Sequence, residues 1–297
     1  MDAGDRAGSG LPIALASRRL SLRAASSWTS IRFAVKNSLV LSILLVVACG
    51  GNPPNPQTPT PTSVPVAAKI EVPASVQAVV DAPDRTPDDR ALDAGRHPGE
   101  TLAFFGISPG MHVADLAAGN GYTSELLSRT VGPSGQVFSQ NNKFVLQFAN
   151  EGWTARLAKP TSKNIVRVER ELDDPLPPEA KDLDAVVMIF FYHDSYWQKT
   201  DRAKMNAAIF AALKSGGIYG IVDHRSADGA GSTQVQTNHR IEESEVISDV
   251  TKAGFVKDGE AMFLRNADDK HDWNPSPRAA GERRGTSDRM VLKFKKP

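Results

Sequence analysis

The segment Val113-Ala114-Asp115-Leu116-Ala117-Ala118-Gly119-Asn120-Gly121-Tyr122 constrains this chain more than any other. Apolar residues run into an acid, then into a turn with two glycines. An amphipathic stretch follows, and Gly132-Pro133 ends it. A strand that passes through a tight turn directly into a helix opens a βαβ unit, and ligands of open α/β sheets gather at the carboxyl ends of the strands. Gly119 and Gly121 lack the Cβ that would hold a ligand off the backbone.

The rest of the body keeps alternating. Residues 111–116, 136–139, 165–168, 183–191 and 218–222 read as strands. The 183–191 run is almost unbroken in apolar residues, as in a strand buried on both faces. Helices are predicted over 98–105, 122–131, 144–157 and 242–253. Another starts at Thr86-Pro87-Asp88-Asp89, where threonine can cap, proline suits the first helical position and two carboxylates suit the positive end of the dipole. The clearest helix carries Met205, Ala208, Ile209, Ala212 and Leu213 on one face, with Thr200 to cap it and Gly216-Gly217 to end it. Residues 261–265 and 290–294 read as two closing strands. Strands alternating with helices predict a parallel α/β sheet.

The amino-terminal part reads differently. Of the 297 residues, the first 48 hold six basic and two acidic side chains, so that segment is +4; the net charge is +1, so the remainder is −3. A body of that charge is a poor general binder of nucleic acid, which needs concentrated Lys and Arg. The apolar run 39–48 spans only about 15 Å as a helix, too short for a membrane and suited to the core of a signal peptide behind Arg32 and Lys36. It ends Val46-Val47-Ala48-Cys49-Gly50, which resembles a bacterial lipobox, and Cys49 is the one cysteine of the chain. A chain with one cysteine has no intrachain disulfide and no cysteine-rich zinc site. Six prolines in residues 52–66 make a semi-rigid spacer. The expected organisation is a lipoprotein signal peptide over 1–48, a tether over 49–75 beginning at lipidated Cys49, and a folded domain over 76–297. The expected location is the bacterial cell envelope, facing the periplasm.

The first motif resembles that of class I S-adenosylmethionine-dependent methyltransferases, D-x-G-x-G-x-G, with Ala117 in the first glycine place. Pro109-Gly110 before it, Leu213-Lys214-Ser215-Gly216-Gly217 before the fifth strand, Ala253-Gly254-Phe255 after the last helix and the two closing strands extend the resemblance over residues 86–297. The chain is similar to a group of uncharacterised bacterial methyltransferases, some with signal peptides. A dinucleotide fingerprint fits less well: Ser124 stands in its third glycine place, and no acid ends the second strand. The resemblance implies an α/β, Rossmann-like fold: a seven-stranded, mostly parallel sheet with an antiparallel closing strand and helices on both faces. It implies S-adenosyl-L-methionine as cofactor. Asp115, Ala117, Gly119, Asn120, Gly121 and Tyr122 would lie along the methionine part. Gln140, with Asn141 beside it, stands where an acid usually holds the ribose hydroxyls. Glu171, Asp173 and Asp174 are candidates for the adenine amino group, and Phe190 would wall the cofactor.

The fourth strand ends Phe190-Phe191-Tyr192-His193-Asp194, the edge that the resemblance sets beside the sulfonium methyl. His193 suits a general base because histidine titrates near neutrality. Tyr192 and Asp194 complete the expected catalytic group, with a small molecule as methyl acceptor and no nucleic-acid partner. Asp223-His224 and His239-Arg240 lie where later loops can converge, but no tight ligand spacing joins them, and no metal is expected. His239-Arg240 and Arg96-His97-Pro98 read either as groups that close over an anion or as helix-start salt bridges. Two other readings remain open: a non-catalytic Rossmann-like binding lipoprotein and a nicotinamide oxidoreductase.

Overall fold

The computed structural model describes residues 69–297. The signal-like segment, Cys49 and the proline-rich stretch through residue 68 lie outside the described residues. Strands β1 (His112–Leu116) and β4 (Leu183–Ile189) pair in parallel at the centre of one sheet. On one side follow β2 (Gln136–Asn141) and β3 (Ile165–Glu169), both parallel. On the other side β5 (Leu213–His224) pairs in parallel with β4. The last strand, β7 (Arg289–Lys295), inserts antiparallel between β5 and the edge strand β6 (Val256–Ala261). The order is β3-β2-β1-β4-β5-β7-β6, six strands running one way and β7 the other.

Side-chain alternation divides the core. Ala114, Leu116, Val186, Met188, Tyr219, Ile221, Leu292 and Phe294 point to one face. Helices α5 (Lys143–Leu157), α6 (Tyr192–Trp197), α7 (Arg202–Ala212) and α8 (Glu243–Lys252) supply residues to it. Val113, Val137, Ala185, Val187, Val222 and Val291 point to the other. There they meet α1 (Ala74–Val80), α2 (Pro87–Arg96), α3 (Pro98–Phe104) and α4 (Tyr122–Val131). Among the described residues no helix is long and apolar enough to cross a membrane.

Local chemistry accounts for the helix starts. Thr86 Oγ1 accepts the Asp89 N–H at 3.2 Å, with Pro87 first in α2. Asn142 Oδ1 accepts Val145 N–H at 3.0 Å and starts α5. Asp201, rather than the expected Thr200, caps α7 through Lys204 N–H. Gly152 is tolerated inside α5 because a Cβ there would come within 2.9 Å of Asn120, so the helix and the glycine turn pack directly together.

Four features depart from the sequence reading. The apolar run 183–191 is not all strand: β4 stops at Ile189, Phe190 takes φ 59°, and α6 begins at Tyr192. Strand β6 lies at 256–261 instead of 261–265. It is an edge strand with polar, largely exposed residues, so it carries no apolar signal. Helix α7 ends at Ala212, and Gly216-Gly217 lie within β5. Finally, Ile70 and Val72 pack against the core and Val76 is buried, so packing starts on the amino side of residue 76.

Candidate active site

The turn after β1 is held from beneath by the end of β2. Gln140 Oε1 accepts the Ala117 N–H at 2.9 Å, and the Gln140 main-chain oxygen accepts Ala118 N–H at 2.9 Å. Asn141 grips Gly119 twice at 2.9 Å, its Oδ1 accepting the N–H and its Nδ2 donating to the carbonyl. Ala117, Gly119 and Gly121 all have positive φ, at 52°, 57° and 77°. Glycine does this freely, whereas alanine pays about 1 kcal/mol. Ala117 therefore stands in a glycine conformation that the two amides impose.

Below the turn, Asp115 is buried. It accepts from Ser124 Oγ at 2.6 Å; that hydroxyl lies 2.7 Å from Ser139 Oγ, which in turn accepts Trp153 Nε1–H at 2.9 Å. Burial pushes the Asp115 carboxyl up to about 7, against the hydrogen bond from Ser124 and the charge of Arg96. Beside it, the Arg96 guanidinium lies 4.5 Å from the centre of the Tyr122 ring and 5.6 Å from that of Phe190. Burial holds its pKa below the usual arginine range. Among the described residues no hydrogen bond or ion pair takes up this guanidinium. A cavity of ≈ 30 Å³, lined by Arg96, Thr101, Tyr122, Phe190 and neighbours, adjoins it, room for about one water.

Phe190 marks the joint between β4 and α6. Its N–H still pairs with Val222 O at 2.7 Å, and its ring stacks on His224 at 4.9 Å. A phenylalanine with left-handed backbone is strained, and such strain collects at functional sites. The first turn of α6 then meets the end of β5. Asp223 Oδ2 accepts His193 N–H at 2.7 Å, while Asp223 Oδ1 lies 2.7 Å from His193 Nδ1. The other ring nitrogen, Nε2, lies 3.1 Å from His239 Nδ1 and 3.2 Å from Asp194 Oδ1. His239 Nδ1 and Asp194 Oδ1 are themselves 3.1 Å apart, and Trp197 Nε1 donates to that oxygen at 2.5 Å. Burial opposes charge on His193, yet Asp223 and Asp194 push its pKa up to about 10. His224, by contrast, is held neutral, first by burial and then by the charges of His193, Arg289 and Arg240.

No family model matches the chain, and no curated protein matches it. Solved structures do. A SAM-dependent methyltransferase from Aquifex aeolicus aligns with TM-score 0.50 and 18% identity, covering 75% of this chain and 98% of its own. A putative sarcosine dimethylglycine methyltransferase from Galdieria sulphuraria aligns with TM-score 0.50 and 18% identity, covering 73% and 89%. The fold is the Rossmann-like methyltransferase fold. The strand ends that carry the glycine turn, Phe190 and Asp223 all lie on the ligand edge of such a sheet.

On this fold several expected residues take other roles. Gln140 is fully buried, its Nε2 donating to Arg170 O at 2.6 Å, and Asn141 is spent on Gly119. Neither amide is presented to a ribose. Tyr192 is buried in the core, its hydroxyl accepting from Asn206 Nδ2 at 2.9 Å, so it cannot meet an acceptor. His193 is buried with both ring nitrogens engaged, Nδ1 by Asp223 and Nε2 by His239 and Asp194, rather than open to an acceptor. Tyr122 donates to Asp93 Oδ1 at 2.5 Å and turns its ring face to Arg96. Asp173 accepts Asp201 N–H at 2.7 Å and Asp174 pairs with Arg170, while Glu171 is exposed. Arg240 is buried in an ion pair with Asp269 at 2.9 Å, so it closes over no anion. His97 Nδ1 lies 3.1 Å from Glu100 Oε1 at the start of α3, a contact within the chain rather than with an anion. The Ser124–Ser139–Trp153 chain escaped the sequence reading, because its members lie on three separate elements.

Proposed function

We propose that this protein is an S-adenosylmethionine-dependent methyltransferase acting on a small-molecule acceptor. The observation that carries the proposal is the left-handed Ala117–Gly121 turn at the carboxyl end of β1, one strand from the strained joint at Phe190. The cofactor would lie along this turn. Arg96, whose guanidinium meets no carboxylate among the described residues, would take the cofactor carboxylate. When bound, S-adenosylmethionine would supply an electrophilic methyl on a sulfonium, and the electron pair of the sulfur–methyl bond would stay with the departing thioether. The acceptor would supply the electron pair of the new bond to the methyl carbon, and the proton it loses would pass to solvent. The protein's part is position and exclusion of water. We assign the acceptor side to His193, Asp194 and His239, with Asp223 holding His193 in place.

The lipobox-like sequence supports a second element: attachment through Cys49 to a bacterial envelope membrane, with the domain on a proline-rich tether. A competing reading is a non-catalytic binding lipoprotein. It is favoured by the inward-turned Gln140 and Asn141 and by the small cavity at Arg96. Calorimetric titration of the full-length protein with S-adenosylmethionine and S-adenosylhomocysteine separates the two. Saturable binding of either supports the methyltransferase; no heat in a protein shown to be folded leaves the second reading.

A further inference from the structure

His193 Nε2, Asp194 Oδ1 and His239 Nδ1 form a nearly equilateral triangle with sides of 3.1, 3.1 and 3.2 Å. Protons cannot satisfy it. Each ring nitrogen carries one hydrogen at most. If both carry one, two N–H groups face each other along the side that joins the histidines. If one does, the bare nitrogen faces the carboxylate oxygen, lone pair to lone pair. With the Asp194 carboxylate ionised, one side of the triangle is repulsive whichever ring nitrogens carry a proton. A cation above its centre makes all three sides favourable.

From this geometry we propose that His193, Asp194 and His239 form a binding site for a divalent transition-metal ion, of which zinc is the representative. Ligand atoms at about 2.1 Å from a metal are separated by about 3.0 Å at right angles and about 3.4 Å at tetrahedral angles. The observed sides fall between these values, so the three atoms already form one face of either polyhedron. The supporting contacts are those of a metal site. His193 Nδ1 lies 2.7 Å from Asp223, which fixes the tautomer with Nε2 available, and Trp197 Nε1 fixes the Asp194 carboxylate. Asp194 and Asp223 together supply two negative charges for a dication. The Asp194 and His239 side chains are 11% and 25% exposed, so an ion can reach them. Two imidazoles and one carboxylate favour zinc, iron or nickel over magnesium. Three protein ligands on one face leave open positions, the arrangement of catalytic rather than structural metal sites. The site was not legible as a spacing, because two ligands adjoin on α6 and the third comes from the β5–α8 connection. Metal binding here does not depend on the methyl-transfer reading.

The test uses full-length protein stripped with a chelator and titrated with Co²⁺, without S-adenosylmethionine. The expected result is saturation at one equivalent with visible d–d absorption, reversed by Zn²⁺. Two hyperfine-shifted imidazole N–H resonances are expected. One, from His193 Nδ1–H on Asp223, exchanges slowly with solvent. His239→Ala and His239→Gln, both in a partly exposed loop, are expected to weaken binding at least about 100-fold, and Asp223→Asn about 10-fold. Failure of the folded protein to bind Co²⁺ or Zn²⁺ overturns the proposal. So does binding without shifted imidazole protons, or unchanged affinity in a folded His239 variant. A protein that binds cobalt but no S-adenosylmethionine keeps this proposal and loses the methyltransferase reading; the converse result does the reverse.

Discussion

Gln140 supports Ala117: the side-chain oxygen at the end of β2 accepts the N–H of the first residue of the glycine turn, 2.9 Å away. The other end of the same amide donates to Arg170 O. Gln140→Glu, which introduces the acid usual in this fold, therefore sets a buried carboxylate oxygen against a carbonyl. Stability at neutral pH is expected to fall by on the order of 3 kcal/mol, with part recovered near pH 5 as the carboxyl protonates. Urea unfolding at the two pH values measures this. Affinity for S-adenosylmethionine is expected not to improve.

Ala117→Gly should stabilise. Relief of the positive φ is partly offset by the extra freedom glycine brings to the unfolded chain, for a net gain of up to about 0.5 kcal/mol. The check is a thermal melt compared with wild type.

Asp115 sets a pH dependence. Its folded-state pKa, about 7, lies above the ordinary 3.8, so the folded protein holds its proton more tightly than the unfolded chain does. The resulting stabilisation is fully present below about pH 4, is lost as the pH rises to about 7, and is absent above that. Asp115→Asn should flatten this part of the stability–pH curve; an unchanged slope would assign it to other groups.

Arg96 trades stability for binding. Among the described residues its guanidinium has no carboxylate partner, so Arg96→Met should raise the stability of the ligand-free protein by about 1 kcal/mol. The same change should weaken S-adenosylmethionine by about 10- to 100-fold if Arg96 takes its carboxylate. Calorimetry and denaturant unfolding of one variant give both numbers.

The alternation of strands and helices and the glycine turn were legible because burial on two faces and a tight turn each leave a compositional trace. Strand β6 left none, since an edge strand facing solvent needs no apolar residues. Helix α6 was hidden by its neighbours: Phe190 and Phe191 continue an apolar run, while the break between strand and helix lies in a backbone angle. Gln140 was placed at the right strand end but given the wrong direction, because its letter does not tell whether an amide faces a ligand or the turn beside it. His239 meeting His193 follows from the chain's path after β5, which no local pattern encodes.

The position of β7 governs the order in which the chain can be completed. Strand β6 is made before β7 but has only β7 for a neighbour. While the chain emerges from a ribosome, β5 and β6 present open hydrogen-bonding edges until β7 arrives. A ribosome stalled before residue 289 would leave a five-stranded sheet with β5 as an open edge and β6 without a partner, exposed to chaperones and to aggregation.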